Sequence, residues 1–131
     1  MRALGVIAAT TLGCCAAAML TASPGAAAGG FAGSWIATDT LDGSRLSLSV
    51  RGGGGHYAVR EVDSAATVCG GAPASVTGPG TVDGDVLVVP VTLVCLPGGN
   101  ILRERIVISF TYRPGTDSLI DNDGVVWRRA S

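Results

Sequence analysis

Asp83–Cys95 reads DGDVLVVPVTLVC. It opens on a turn, Asp83-Gly84-Asp85, and runs into the longest block of β-branched and apolar residues after residue 28. Asp and Gly accept the backbone angles of a tight turn, and Val, Leu and Thr suit a strand. One face carries Val86, Val88, Pro90, Thr92 and Val94; the other carries Leu87, Val89, Val91, Leu93 and Cys95. Pro90 has no N–H to give a sheet ladder, so this strand is expected either to lie at an edge or to bend there. The stretch ends on Cys95, whose only mate outside the first 28 residues is Cys69.

The segments on either side repeat the same grammar. Gly33–Asp39 reads as a first strand, and Asp42-Gly43 as a two-residue hairpin turn. Leu46, Leu48 and Val50 then alternate with Arg45, Ser47, Ser49 and Arg51, the pattern of a strand buried on one side. Gly52 to Gly55 read as a turn or loop, because glycine weakens a strand interior. His56–Val62 sets Tyr57, Val59 and Glu61 on one face. Gly78-Pro79-Gly80 interrupts a weak strand over residues 74–82 and predicts a bulge or bend. Leu96–Asn100 is a turn. Ile106, Ile108, Phe110 and Tyr112 alternate through a long strand, and two short strands, Ser118–Asp121 and 125–129, flank Asn122-Asp123-Gly124. About eight short strands with tight turns predict an all-β fold, a small antiparallel up-and-down meander closed into a barrel, with a two-sheet sandwich as the alternative.

Residues 1–28 are set apart. Arg2 is the only charge before Asp39, Ala3–Leu20 is uncharged and apolar, and Ser23-Pro24-Gly25 leads to Ala26-Ala27-Ala28. This is the pattern of a signal peptide cleaved after Ala28, rather than a membrane anchor, since so much alanine and glycine drives bilayer insertion weakly. Residues 29–131 are then one exported domain. The residues before Cys14, Thr11-Leu12-Gly13, fit a lipid-attachment motif poorly. Export into an oxidising compartment predicts a Cys69–Cys95 disulfide.

The exported part has eight arginines, no lysine and ten carboxylates, a net charge of −2. Nucleic acid and anionic membranes need clustered positive charge, so neither is an expected partner. A serine triad would rest on His56 beside four glycines, with no G-x-S-x-G turn, and one histidine with a paired disulfide is a poor zinc set. No catalytic residue, metal or cofactor is expected, and the protein is read as a monomer that is not an enzyme. Asp83, Asp85, Asp117, Asp121 and Asp123 are what β-turns ask for; Glu61 and Glu104 read as surface partners of neighbouring arginines.

Gly33-Ser34-Trp35 resembles the G-x-W motif that opens the first strand of lipocalin and avidin-like (calycin) barrels. In that likeness Trp127-Arg128-Arg129 supplies the arginine that packs across the tryptophan at the closed end. The chain is shorter than a lipocalin and lacks the tryptophans of a biotin site. Its Trp-x-Ala-Thr-Asp opening, Cys-Gly-Gly-x-Pro centre and Tyr-x-Pro-Gly-Thr-Asp ending are also similar to small exported bacterial β-proteins, a likeness that implies no chemistry. Two non-enzymatic roles follow as expectations, with a hydrolase that uses a carboxylate pair ranked behind both. One is a small apolar ligand bound at the open end by Trp35, Tyr57, Phe110 and Tyr112. The other is an inhibitor or surface module that uses loops 52–55 and 69–73 as the epitope for a protein partner.

Overall fold

The computed structural model describes residues 30–96 and 104–131. The expected signal peptide and most of the turn at Leu96–Asn100 fall outside them. Eight strands form: β1 (Gly33–Thr38), β2 (Arg45–Gly53), β3 (His56–Asp63), β4 (Ala74–Asp83), β5 (Val86–Cys95), β6 (Glu104–Arg113), β7 (Ser118–Asp121) and β8 (Val126–Arg129). A 3₁₀ turn, Thr67–Cys69, interrupts the β3–β4 connection. Every strand pairs antiparallel with the next, and β8 closes on β1, so the meander is a barrel rather than a sandwich.

Alternation decides the inside. Leu46, Leu48 and Val50 from β2, Val59 from β3, Leu87, Val89 and Val91 from β5, and Phe110 from β6 all point inward and are buried. Trp35, Phe110 and Trp127 are wholly excluded from solvent. The Phe110 and Trp127 rings meet edge to face at 5.9 Å, so the middle of the barrel is packed with side chains.

Closure into a barrel answers the question posed by Pro90. There is no edge for β5 to occupy, since it pairs with β4 and β6. The β4–β5 register is the same on both sides of residues 78–80, but the ladder is broken across them. That register sets Pro79 opposite Pro90, so one interruption absorbs two missing donors. The backbones are close there: a Cβ on Gly78 would meet the Pro90 carbonyl oxygen. Two turns also differ from expectation. Gly52 and Gly53 belong to β2 and pair with Tyr57 and His56, which leaves Gly54 and Gly55, both at positive φ, as the turn. The β1–β2 connection spans six residues, Asp39–Ser44, closed by Gly43 N–H to the Asp39 carbonyl at 3.0 Å.

A meander sends alternate connections to opposite ends. The β2–β3, β4–β5 and β6–β7 turns share one end with the start of β1. The other four connections share the opposite end. At the first end Phe31 acts as a stopper: it is buried, and its ring lies 6.1 Å from both Tyr57 and Tyr112. Its carbonyl accepts the Trp35 Nε1–H at 2.9 Å. Arg129 lies over the Trp35 ring, 4.1 Å from its centroid, and donates to Asp117 through Nε and Nη2 at 2.8 Å each. Its remaining donors reach the carbonyls of Ala32 (2.8 Å) and Gly30 (3.2 Å). Arg129 holds the Asp117 carboxyl below the usual carboxylate range. At the other end Cys69 and Cys95 are joined, Cα atoms 5.6 Å apart, tying the β3–β4 loop to the end of β5. Asp42 adds a second tie there, accepting the Ser44 N–H at 2.8 Å and the Thr67 hydroxyl at 2.9 Å.

Candidate functional site

The end opposite Phe31 is lined differently. Asp39 follows β1, Glu61 and Asp63 lie on β3, Asp121 ends β7 and Asp123 sits in the β7–β8 turn; together they face a cavity of about 310 Å³. Leu46 and Val125 supply apolar wall to the same cavity. Half-buried Leu93, at the cysteine end of β5, packs on the core from the same end.

Most of these carboxylates are explained by the turns they hold. Asp39 Oδ1 accepts the Leu41 N–H at 2.7 Å, and Asp63 Oδ1 accepts the Ala65 N–H at 2.9 Å. Asp121 is committed on both oxygens. Oδ1 takes the N–H groups of Asp123 and Val125, and Oδ2 takes Trp127 Nε1–H, each at 2.9 Å.

Glu61 has no such task. It stands between Leu48 of β2 and Val76 of β4, in phase with Tyr57 and Val59, so the period of the strand turns it into the barrel. No hydrogen bond to its carboxyl is made among the described residues. Its pKa is pushed up to about 7, first because burial penalises the charged form and then because Asp121, Asp63, Asp123 and Asp39 oppose a further negative charge. The expected surface pairing of Glu61 with an arginine is therefore replaced by an inward, desolvated carboxyl. The side chain of Glu104 lies outside the described residues. Among the described residues, no group of three or more His, Cys, Asp or Glu side chains is placed to hold a metal ion.

Comparison of the chain with protein-family models, with curated proteins and with solved structures gives no match.

The four aromatics expected at the open end lie elsewhere. Trp35 and Phe110 are core residues. Tyr57 and Tyr112 lie at the stoppered end, beside the β2–β3 and β6–β7 turns, and the Tyr112 hydroxyl donates to Asp117 at 3.0 Å. Period-two alternation assigns a side chain to a face but not to an end, and that was the missing information. The loops 52–55 and 69–73 are likewise at opposite ends, so they do not form one epitope. Phe31 carries no expected role in the sequence, and Glu61 is expected at the surface rather than inside. Phe31 sits alone among glycine and alanine, with no periodic neighbours to mark it. Glu61 did carry a signal, its phase with Tyr57 and Val59.

Proposed function

We propose that the protein is an exported, non-enzymatic binding barrel of the calycin kind, whose open end takes a small ligand with an apolar body and a cationic group. The observation that carries this reading is Glu61, an inward carboxyl without a hydrogen-bond partner among the described residues, inside a rim of further carboxylates. An amine or guanidinium entering there would relieve the repulsion among the five acids and gain a charge-assisted hydrogen bond in a site of low dielectric. Leu46 and Val125 offer the apolar contact. The leader pattern and the Cys69–Cys95 bridge support export. Arg129 stacked on Trp35 supports the calycin likeness.

Carboxylates converging in a cleft also suit a hydrolase that works with an acid and a base. That reading is the weaker one. Asp121, the charge that acts most strongly on Glu61, has both oxygens bound by three donors and is spent on holding the β7–β8 turn.

Calorimetric titration with decylamine, decanol and decanoate above neutral pH tests the proposal. Decylamine binds, decanoate does not, and Glu61→Gln weakens the amine by about tenfold or more, the worth of one hydrogen bond to a charged group. Equal binding of decanol and decylamine removes Glu61 as the anchor, and no binding by any of the three refutes the site. The denatured mass of the protein recovered from culture medium tests export separately: it should match residues 29–131 less two hydrogens.

A further inference from the structure

The barrel is closed by its weakest seam. The β1–β8 ladder consists of Trp35 against Arg129 and Ile36 against Arg128, extended by the Ala130 N–H to the Ser34 carbonyl at 2.8 Å. The next bonded rung in this register would join Thr38 to Val126. The β1–β8 pairing stops short of it, at Ile36 and Arg128, although Thr38 and Val126 both belong to their strands.

The backbone groups of that rung have no other outlet. Asp39 N–H bonds the Ser44 carbonyl on the β2 side, and alternate residues of a strand direct their N–H and C=O to opposite neighbours. Thr38 therefore aims its N–H and C=O at the seam. On β8, the Val125 carbonyl accepts from Asp121 of β7, which aims Val126 at the same gap. The strands diverge around a notch of about 480 Å³ on the outer wall, reaching Thr40 and Gly124 one rung further on.

The side chains at the notch have a consistent character. Ile36 and Val126 are apolar yet 41% and 46% exposed. Arg45, opposite Thr38 on β2, and Arg128, opposite Ile36 on β8, flank them, and both are exposed. The only ion pair among the described residues is Arg129 with Asp117, so neither Arg45 nor Arg128 has a carboxylate partner there. An unpaired strand rung recruits another extended chain, and guanidinium groups recognise carboxylates in a bidentate geometry.

We infer that this notch is a docking site for an extended, acidic stretch of a protein partner, which pairs with the free rung of Thr38 and sets its carboxylates against Arg45 and Arg128. Ile36 and Val126 accept an apolar side chain between the two charges. This surface lies on the outer wall and borders the cavity around Glu61 at Thr40, but the pairing uses the wall side of β1 and does not depend on a ligand in that cavity.

The probe is a short, end-blocked peptide, Thr-Glu-Val-Glu-Thr-Glu, with a twin carrying lysine for glutamate, titrated into isotope-labelled protein. In the free protein the Thr38 and Val126 amides should exchange with solvent as open groups. The acidic peptide should produce saturable shifts confined to residues 36–40 and 124–128 and slow Thr38 exchange by at least about tenfold. The lysine twin should not bind. R45E/R128E, which alters two exposed side chains and should leave the melting temperature unchanged, should abolish the effect. A Thr38 amide already protected in the free protein overturns the inference. So does equal binding of the acidic peptide by the double variant, or no binding at all.

Discussion

Replacing Glu61 by glutamine removes one titrating carboxyl from the open end while keeping its shape. The folded barrel holds a proton on Glu61 up to about pH 7, whereas the unfolded chain releases it near 4.5. Between those values the native state binds more protons than the unfolded state. The unfolding free energy must then fall as pH rises, and level off above 7. The interval from 4.5 to about 7, at about 1.4 kcal/mol per pH decade, sets a ceiling of about 3.5 kcal/mol on the stability lost by the wild type. Glu61→Gln has no such slope. Asp42 and Asp117 do not disturb the comparison, because their hydrogen bonds hold them below 3.8, so their stabilisation is lost only at lower pH.

The assay is urea unfolding of both proteins at about pH 5 and about pH 8, read as the change between them in the variant-minus-wild-type free energy. A glutamine amide that packs less well shifts both values together and cancels. The variant should gain on the wild type by about 2–3 kcal/mol over this range. An unchanged difference means that Glu61 titrates as it does in the unfolded chain. This end would then hold no desolvated carboxyl for a cationic partner.

The two remaining perturbations probe the frame. Cys69→Ser with Cys95→Ser releases a loop of 26 residues, and the chain-entropy relation gives a loss of about 3.5 kcal/mol, read from the urea midpoint of the oxidised and mutant proteins. A midpoint that does not move would refute this accounting, because the entropy regained by the unfolded chain is lost to stability even if the folded loop keeps its order. Gly78→Ala drives a methyl group into the Pro90 carbonyl oxygen across two strands that cannot bond there. It should cost at least about 2 kcal/mol by thermal unfolding, and a neutral result would refute the close approach of β4 and β5.

Much of this barrel was readable from its residues because a strand with one wet face writes its own pattern. Leu46, Leu48 and Val50 announce β2, and Ile106 to Tyr112 announce β6, since each step of two returns to the core. Asp-Gly and Gly-Gly pairs announced the turns, although Gly52 and Gly53 show that glycine also serves inside a paired strand. What was not readable depends on closure. Alternation placed Trp35, Tyr57, Phe110 and Tyr112 correctly on one face, while the end each occupies follows from the up-and-down order of the strands, and which end is stoppered depends on Phe31, which no pattern marks. Pro90 looked like a mark of an edge because its partner in the interruption, Pro79, is eleven residues away in sequence. The stacking of Arg129 on Trp35 was suggested by likeness to other barrels, not by any local pattern.

The two ends of the barrel treat their polar groups in opposite ways, and that contrast is the strongest reason to look for function at one of them. At the stoppered end Arg129, Asp117, Tyr112 and the carbonyls of Gly30, Phe31 and Ala32 are matched donor to acceptor. A network so completed stabilises and positions, and it has nothing left to offer a partner. Toward the other end the matching stops at Glu61 inside, at the Thr38–Val126 rung on the wall, and at the buried Ser44 hydroxyl, which has no partner among the described residues. Each is a departure from the local rule that the rest of the chain obeys, and Glu61 and the open rung each carry a free energy penalty that a simpler choice would have removed, for instance leucine at position 61 or one more rung in the ladder. The disulfide and the Asp42–Thr67 tie stand at this same end. They tie the β1–β2 connection, the β3–β4 loop and the end of β5 to one another, so the end that carries the unpaired groups is also the one held by links outside the strand ladder.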